Sequence, residues 1–417
     1  MPDVYYINEM ENYNFRQYLR PFIEREIYFE KIAPYINKDI IKVIIGQRRV
    51  GKSYLLYQLM DFVAKKYLDD HIIYINKELA DFDFITDSTQ LNDFIQSQSK
   101  PGRNHIFIDE IQDIRDFERS LRNYIALGNY DIYCTGSNSQ LLSGDIAGHL
   151  SGRYIEFKIF SLSYTEFLQF HQLENNTQSL NKYMAFGGLP YLVHLELSDN
   201  IIYEYLRNVY ATVLFKDVVR RYQIRNVYFL EDLVKFLAEN IGSLVSAHSI
   251  SKYLKSQQIN MSVQIVLNYM SYLTGSMLLL KTERQDVHGK KVFETNEKYY
   301  FEDWGLRNAI SGFKVIDTGR LIENIVMLHM LINGFQVRVG VSGDSEIDFV
   351  CSRQNKILYL QVAYLLTDEK TINREFGNLL KIKDNYPKYV ISMDAFRSSD
   401  FKGIIHLSLS EFLTTKW

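Results

Sequence analysis

Residues Gly46-Gln47-Arg48-Arg49-Val50-Gly51-Lys52-Ser53 satisfy the pattern G-x-x-x-x-G-K-[ST] throughout. The glycines permit a tight loop whose backbone N–H groups, those of Gln47, Arg48, Arg49 and Val50 among them, converge on phosphate oxygens. A helix opening at Lys52 adds its partial positive charge at the same place. Lys52 would neutralise the β- and γ-phosphates, and the Ser53 hydroxyl would bind Mg²⁺. An apolar strand precedes the loop and a helix follows it, which sets it apart from a chance Gly/Lys turn.

A second group with chemical potential is Ile106-Phe107-Ile108-Asp109-Glu110, an apolar strand ending in two adjacent acids. Neighbouring strand side chains face opposite ways, but the chain turns at a strand end. Asp109 can then reach the Mg²⁺ shell while Glu110 polarises an attacking water, the pairing expected of a Walker B element. A solvated strand end is the alternative, and the preceding phosphate loop weighs against it. A base at Glu110 points to hydrolysis and away from a simple binding switch. The third group is Thr135-Gly136-Ser137-Asn138, where Asn138 is the first choice to position water and Ser137 the second; a helix cap is the competing role. Leu150-Ser151-Gly152-Arg153 follows. Arg153 is either an arginine finger for a neighbouring subunit's nucleotide or a surface ion pair.

The elements that must hold these groups alternate strand and helix. Strands are expected at 40–45, 72–76, 105–109, 131–135 and 154–159. Leu55, Leu56, Leu59, Met60 and Val63 recur at helical spacing over 52–66, and Phe117, Leu121 and Ile125 over 116–126. This is the pattern of a parallel sheet covered by helices. Residues 1–160 are read as the nucleotide domain and 161–235 as a helical lid region, broken by Gly187-Gly188-Leu189-Pro190. Residues 236–302 are read as a winged helix, with helices at 249–255 and 262–274 and a hairpin turning at 286–290. Residues 303–417 form a further α/β domain, with a helix at 319–332 and strands near 336–341, 347–351, 357–362 and 389–392.

The composition limits partners. The 417 residues carry 47 Lys plus Arg against 50 Asp plus Glu, a net charge of −3 that excludes a globally basic nucleic-acid coat. Two distant cysteines, Cys134 and Cys351, are neither a disulfide framework nor a zinc site and suit a reducing cytoplasm. The N-terminus shows no secretory signal. No run reaches the length of a membrane helix, so no membrane partner is expected.

The set GQRRVGKS, IFIDEIQ, TGSNSQLL, LSGRY with SLSYTEF, GGLP, FKDVVRR, YYFEDWGLRN and GRLIENIV resembles a family of bacterial and archaeal AAA+ ATPases. That resemblance spans about Arg25 to the 390s. It implies ATP as the nucleotide, whereas the residues alone show no base-reading motif and leave the purine undetermined. It also implies a P-loop core of the additional-strand class and a C-terminal PD-(D/E)xK nuclease-like fold behind a winged helix. The nuclease pattern maps onto Glu323 and Asp348, but its third element reads Leu360-Gln361-Val362-Ala363. Gln361 replaces an acid and Ala363 the lysine, so metal-dependent cleavage is expected to be lost and the fold kept as a docking module. The second helix of the winged segment has no Lys or Arg from Ser256 to Leu280. DNA contact therefore rests on Lys281, Arg284, His288, Lys290 and Lys291 of the wing, for which a solvated hairpin face is the alternative, or on Lys216, Arg220, Arg221 and Arg225, which could instead meet a neighbouring subunit's nucleotide or only nearby acids. The expected function is Mg²⁺-dependent ATP hydrolysis that repositions the C-terminal modules, with DNA processing as the alternative. A homo-oligomer and a protein partner are both compatible with it.

Overall fold

The protein is described by a computed structural model covering residues 14–138, 148, 150, 152–256, 258–287, 292–314, 317–343, 345–366, 368–394 and 400–417. The chain divides into two compact units, Met1–Ile159 and Phe160–Trp417.

In the first unit, strands β1 (Ile41–Ile45), β2 (His71–Asn76), β3 (Asn104–Asp109), β4 (Tyr130–Gly136) and β5 (Tyr154–Lys158) form one parallel sheet in the order β2-β3-β4-β1-β5. Strand β4 thus lies between the strand before the phosphate loop and the strand bearing Asp109. β1, β3 and β4 are buried along their whole length, which is why their apolar residues do not alternate with exposed polar ones; the few polar residues within them, such as Lys42, His105 and Asp131, are buried too. After α1 (Glu26–Ile32) come α2 (Lys52–Lys66), α3 (Ser88–Gln98) and α4 (Phe117–Leu127). α2 buries the five apolar residues expected of it, Leu55, Leu56, Leu59, Met60 and Val63. α3 lies outside the helices that the apolar spacing predicts. It is capped by Asp87, whose side chain accepts from Thr89 and Gln90 N–H, and it buries Leu91, Phe94 and Ile95.

The second unit begins with α5 (Tyr164–His171), α6 (Thr177–Phe186) and α7 (Asp199–Thr212). α7 runs into a π-helical stretch, Val213–Arg220, and α8 (Val227–Glu239) follows. Then come α9 (Ala247–Ser256), α10 (Val263–Gly275), α11 (Trp304–Ser311), α12 (Thr318–Ile332), α13 (Glu369–Leu380) and α14 (Leu409–Thr414). Its strands are β6 (Leu244–Val245), β7 (Leu279–Asp286), β8 (Val292–Phe301), β9 (Gln336–Ser342), β10 (Ser345–Arg353), β11 (Lys356–Val362), β12 (Lys388–Ser392), β13 (Asp400–Phe401) and β14 (Ile404–Ser408). All nine join one sheet, in the order β13-β14-β12-β11-β10-β9-β7-β8-β6.

The two strands of the expected hairpin are β7 and β8, which pair antiparallel, while residues 288–290 of its turn lie outside the described residues. The pair does not stand alone, because β7 pairs in parallel with β9 through Arg284↔Val339, Gln285↔Gly340 and Asp286↔Val341. The segments read separately as 236–302 and 303–417 therefore share a sheet. On the other side of β9, Gly340 makes room for β10: a Cβ there would sit 2.8 Å from Val350 and 2.9 Å from Ile347. Beyond it, Ile347, Val350, Tyr359, Phe376, Leu379 and Val390 form a packed core beneath α13.

Candidate nucleotide site

The phosphate loop leaves β1 and closes at the N-terminus of α2. Gly46 is required by space, since a Cβ would meet the Ile159 carbonyl oxygen at 2.4 Å. Gly51 is required by conformation, with φ at +95°. The Lys52 ammonium folds back over the loop, donating to the carbonyls of Gly46 (3.0 Å) and Gln47 (3.1 Å) and to Ser137 Oγ (2.8 Å). Ser137 in turn donates to Glu110 Oε1 at 2.7 Å. Lys52, Ser137 and Glu110 form one buried chain of hydrogen bonds from the loop to the end of β3.

Asp109 and Glu110 reach different partners because the backbone turns between them. Glu110 adopts φ +57° and ψ +52°, a left-handed conformation that non-glycine residues rarely take. Its N–H donates to Thr135 Oγ1 at 2.9 Å, and Thr135 Oγ1 donates to Asp109 Oδ1 at 2.5 Å. Thr135 thus fixes both acids from β4. The Ser53 hydroxyl lies near enough to Asp109 to favour its charged form.

The two acids differ in charge environment. Burial and then the neighbouring Glu110 push the Asp109 carboxyl up. Burial also acts to raise Glu110, but Lys52, Arg48, Ser137 and Gln112 outweigh it and hold its carboxyl below the usual range. Arg48 is itself anchored to Glu78 at 2.7 Å. Among the described residues, Asp109 Oδ2 is buried with no hydrogen-bond partner, as are both side-chain polar atoms of Gln47. A free carboxylate oxygen beside a serine hydroxyl is a hard-oxygen donor set that fits Mg²⁺.

The arrangement brings together most of the residues anticipated from sequence. Ser137, the second choice for positioning water, stands in the hydrogen-bond chain, while Asn138 is half-buried beside it. Arg153 is exposed and lies far from this chain's own loop. It immediately precedes Tyr154, which pairs with Ile41 at the start of β1, whereas the loop follows Ile45 at the other end. Sequence reading assigned no role to Thr135 or Gln112. Thr135 was visible as the strand-end residue of TGSN, but its partner Asp109 is fixed only by the β3–β4 register.

In the second unit, Glu323 and Asp348 come together with Glu346, and a lysine joins them that sequence reading did not connect. Lys298 of β8 lies 2.8 Å from Glu346 and 3.4 Å from Glu323. Tyr300 donates to Glu323 at 3.1 Å. Burial opposes the charge on Lys298, but Glu323, Asp348 and Glu346 outweigh it and hold its pKa above the usual lysine value. Burial pushes Glu323 and Asp348 up, Asp348 further through its proximity to Glu323. Gln361 donates to Glu375 at 2.9 Å, and Ala363 is buried. Of the wing cations, Lys281 is paired with Glu297 at 2.9 Å, whereas His288, Lys290 and Lys291 lie outside the described residues. Lys216, Arg220 and Arg225 are exposed.

Sheet order, loop and paired strand-end acids define a P-loop nucleotide-binding domain of the additional-strand type. Residues 38–168 match the AAA domain family, and residues 177–316 match a domain of unknown function (DUF8612). An uncharacterised protein of Haemophilus influenzae is 33% identical over 393 residues, covering 92% of this chain and 97% of that protein. An uncharacterised protein of Methanocaldococcus jannaschii is 29% identical over 380 residues, covering 83% of each. Among solved structures, the Walker-type ATPase of Pyrococcus abyssi aligns with 14% identity and a TM-score of 0.47, over 70% of this chain and 96% of that one. The chain belongs to the same family as the H. influenzae protein, and its N-terminal part is an AAA domain. That membership supports ATP binding and hydrolysis in general.

Proposed function

We propose that the protein hydrolyses ATP with Mg²⁺ and that the cycle repositions the modules of its second unit. The observation that carries the reading is the Lys52–Ser137–Glu110 chain beside the Ser53–Asp109 contact. Ser53 and Asp109 would hold Mg²⁺, which neutralises charge on the phosphates. The loop N–H groups and Lys52 bind and orient those phosphates. When Lys52 moves onto them, Ser137 and Glu110 lose its ammonium as a partner. Glu110, relieved of the nearest charge that lowers its pKa, becomes a better proton acceptor for a water held by Ser137 and Asn138.

The helical region 161–235 serves as the lid in this reading. The helix-helix-hairpin of 236–302 serves as a winged helix, and the α/β part to 417 as a nuclease-like docking module. A protein partner is favoured over DNA because α10 exposes Ile265 and Leu267 and carries no cation. DNA processing, the alternative, has less support: Lys281 is spent on Glu297, and Lys298 is buried among acids. Arg153 would act on a neighbouring subunit, which requires a homo-oligomer. The free, buried Cys134 and Cys351 suit a cytoplasmic setting. No helix among the described residues is long and apolar enough to cross a membrane.

The test is Mg²⁺-dependent phosphate release from ATP. Wild type should turn over, and Lys52→Ala should lose at least about 100-fold. Equal rates in the two proteins would reject the proposal.

A further inference from the structure

Arg25 lies just before α1, outside every motif assigned to the nucleotide, yet it is only 3% exposed. Its guanidinium Nη1 donates to the carbonyl oxygen of Val50 at 2.8 Å and rests 4.5 Å over the Tyr28 ring. Its backbone N–H donates to Gln58 Oε1 of α2 at 3.1 Å, so the residue is tied to the loop and to the helix behind it.

A trans peptide unit is planar, and its C=O and N–H point in opposite directions. Holding the Val50 carbonyl toward Arg25 therefore aims the Gly51 N–H to the opposite side of that plane. Gly51, at φ +95°, has the conformational freedom of glycine, so the Val50–Gly51 peptide could otherwise rotate into alternatives. A charge-assisted bond to one carbonyl is the device that selects a single orientation.

We propose that Arg25 is a positioning residue for the phosphate site: it acts through the Val50 carbonyl to keep the Gly51 N–H turned toward the polyphosphate. The inference rests on the reading of this loop as a nucleotide site. It predicts that loss of Arg25 weakens polyphosphate recognition whatever base is attached.

The experiment compares wild type, Arg25→Met and Arg25→Lys by competition of ATP and of tripolyphosphate against a fluorescent ATP analogue, with thermal melting in parallel. Arg25→Met should weaken both ligands by the same factor, about tenfold for one lost charge-assisted hydrogen bond. Arg25→Lys, which can still donate to Val50, should recover most of it. Should Arg25→Met fail to fold, Arg25→Lys against wild type gives the same comparison at smaller amplitude. Unchanged affinity for both ligands, or weakened ATP with unchanged tripolyphosphate, would overturn the proposal; the second outcome would mean that Arg25 reads the base. Failure of wild type to bind ATP at all would instead reject the nucleotide reading on which the inference stands.

Discussion

Ser137 accepts from the Lys52 ammonium and donates to Glu110, so one hydroxyl joins the loop lysine to the acid proposed as the base. Replacing it with alanine removes a bond from each and leaves the loop geometry in place. Ser137→Ala should therefore lower kcat about 10–100-fold with little change in KM, measured by steady-state phosphate release. Thr135 acts one step earlier, because it fixes both acids at once. That role was not legible in the sequence, since adjacent strand-end residues give no indication of which neighbour they face until β4 is set beside β3. That Lys52, Ser53, Asp109 and Glu110 would lie together was legible because the chemistry of phosphate and metal leaves few alternatives at that spacing.

At the scale of elements, two of the segments that carry the family resemblance turn out to be a joint. Gly187-Gly188 meets Glu302-Asp303-Trp304-Gly305: Asp303 accepts from Gly188 N–H at 2.7 Å, and Trp304 Nε1 donates to the Tyr183 carbonyl at 2.8 Å. Asn308 donates to the carbonyls of Met184 and Ala185 at 3.0 and 2.9 Å. A Cβ on Gly305 would lie 2.0 Å from the Phe186 carbonyl oxygen. Gly305→Ala should cost about 3 kcal/mol of stability in denaturant unfolding, the upper part of the range for overpacking a tight contact. The first unit has a comparable buried joint at the opposite end of its sheet from the phosphate loop. There Lys42 is ion-paired with Asp131, and His105 sits between Asp131 at 3.0 Å and Asp70 at 2.9 Å. The alternation of strand and helix was legible because each buried strand has an apolar centre, such as Val43–Ile45 or Ile106–Ile108, with no helical spacing. The α3 helix is hard to read because polar residues dominate 88–98, and β13 because a two-residue edge strand carries no periodicity.

For the second unit as a whole, charge burial sets the response to pH. Burial lowers His329 from 6.5 to about 4, and the residue is only 6% exposed. Between those values the unfolded chain binds a proton that the folded chain refuses, so this group's contribution to stability is lost as pH falls from about 6.5 to 4. The full effect is about 3 kcal/mol. The difference in unfolding free energy between wild type and His329→Leu should therefore shift against wild type on acidification across that window, and a constant difference would contradict it. Lys298 works in the other direction, as the ammonium that makes a cluster of buried acids tolerable. Lys298→Met should destabilise the unit by about 3 kcal/mol at pH 8 and by less at pH 5, where the carboxyls can take up protons. Equal losses at the two pH values would contradict this. The sequence showed two of the acids and a lysine missing from position 363. That Lys298 joins them depends on the β7–β9 pairing, a long-range register that periodicity does not encode.

The most direct test of the central claim separates binding from turnover in Glu110→Gln. The variant keeps the size of the side chain but removes the proton acceptor, and Lys52, Ser53 and the loop are untouched. The account predicts ATP affinity within about threefold of wild type, with phosphate release lowered at least about 100-fold. Wild-type turnover in Glu110→Gln would contradict it.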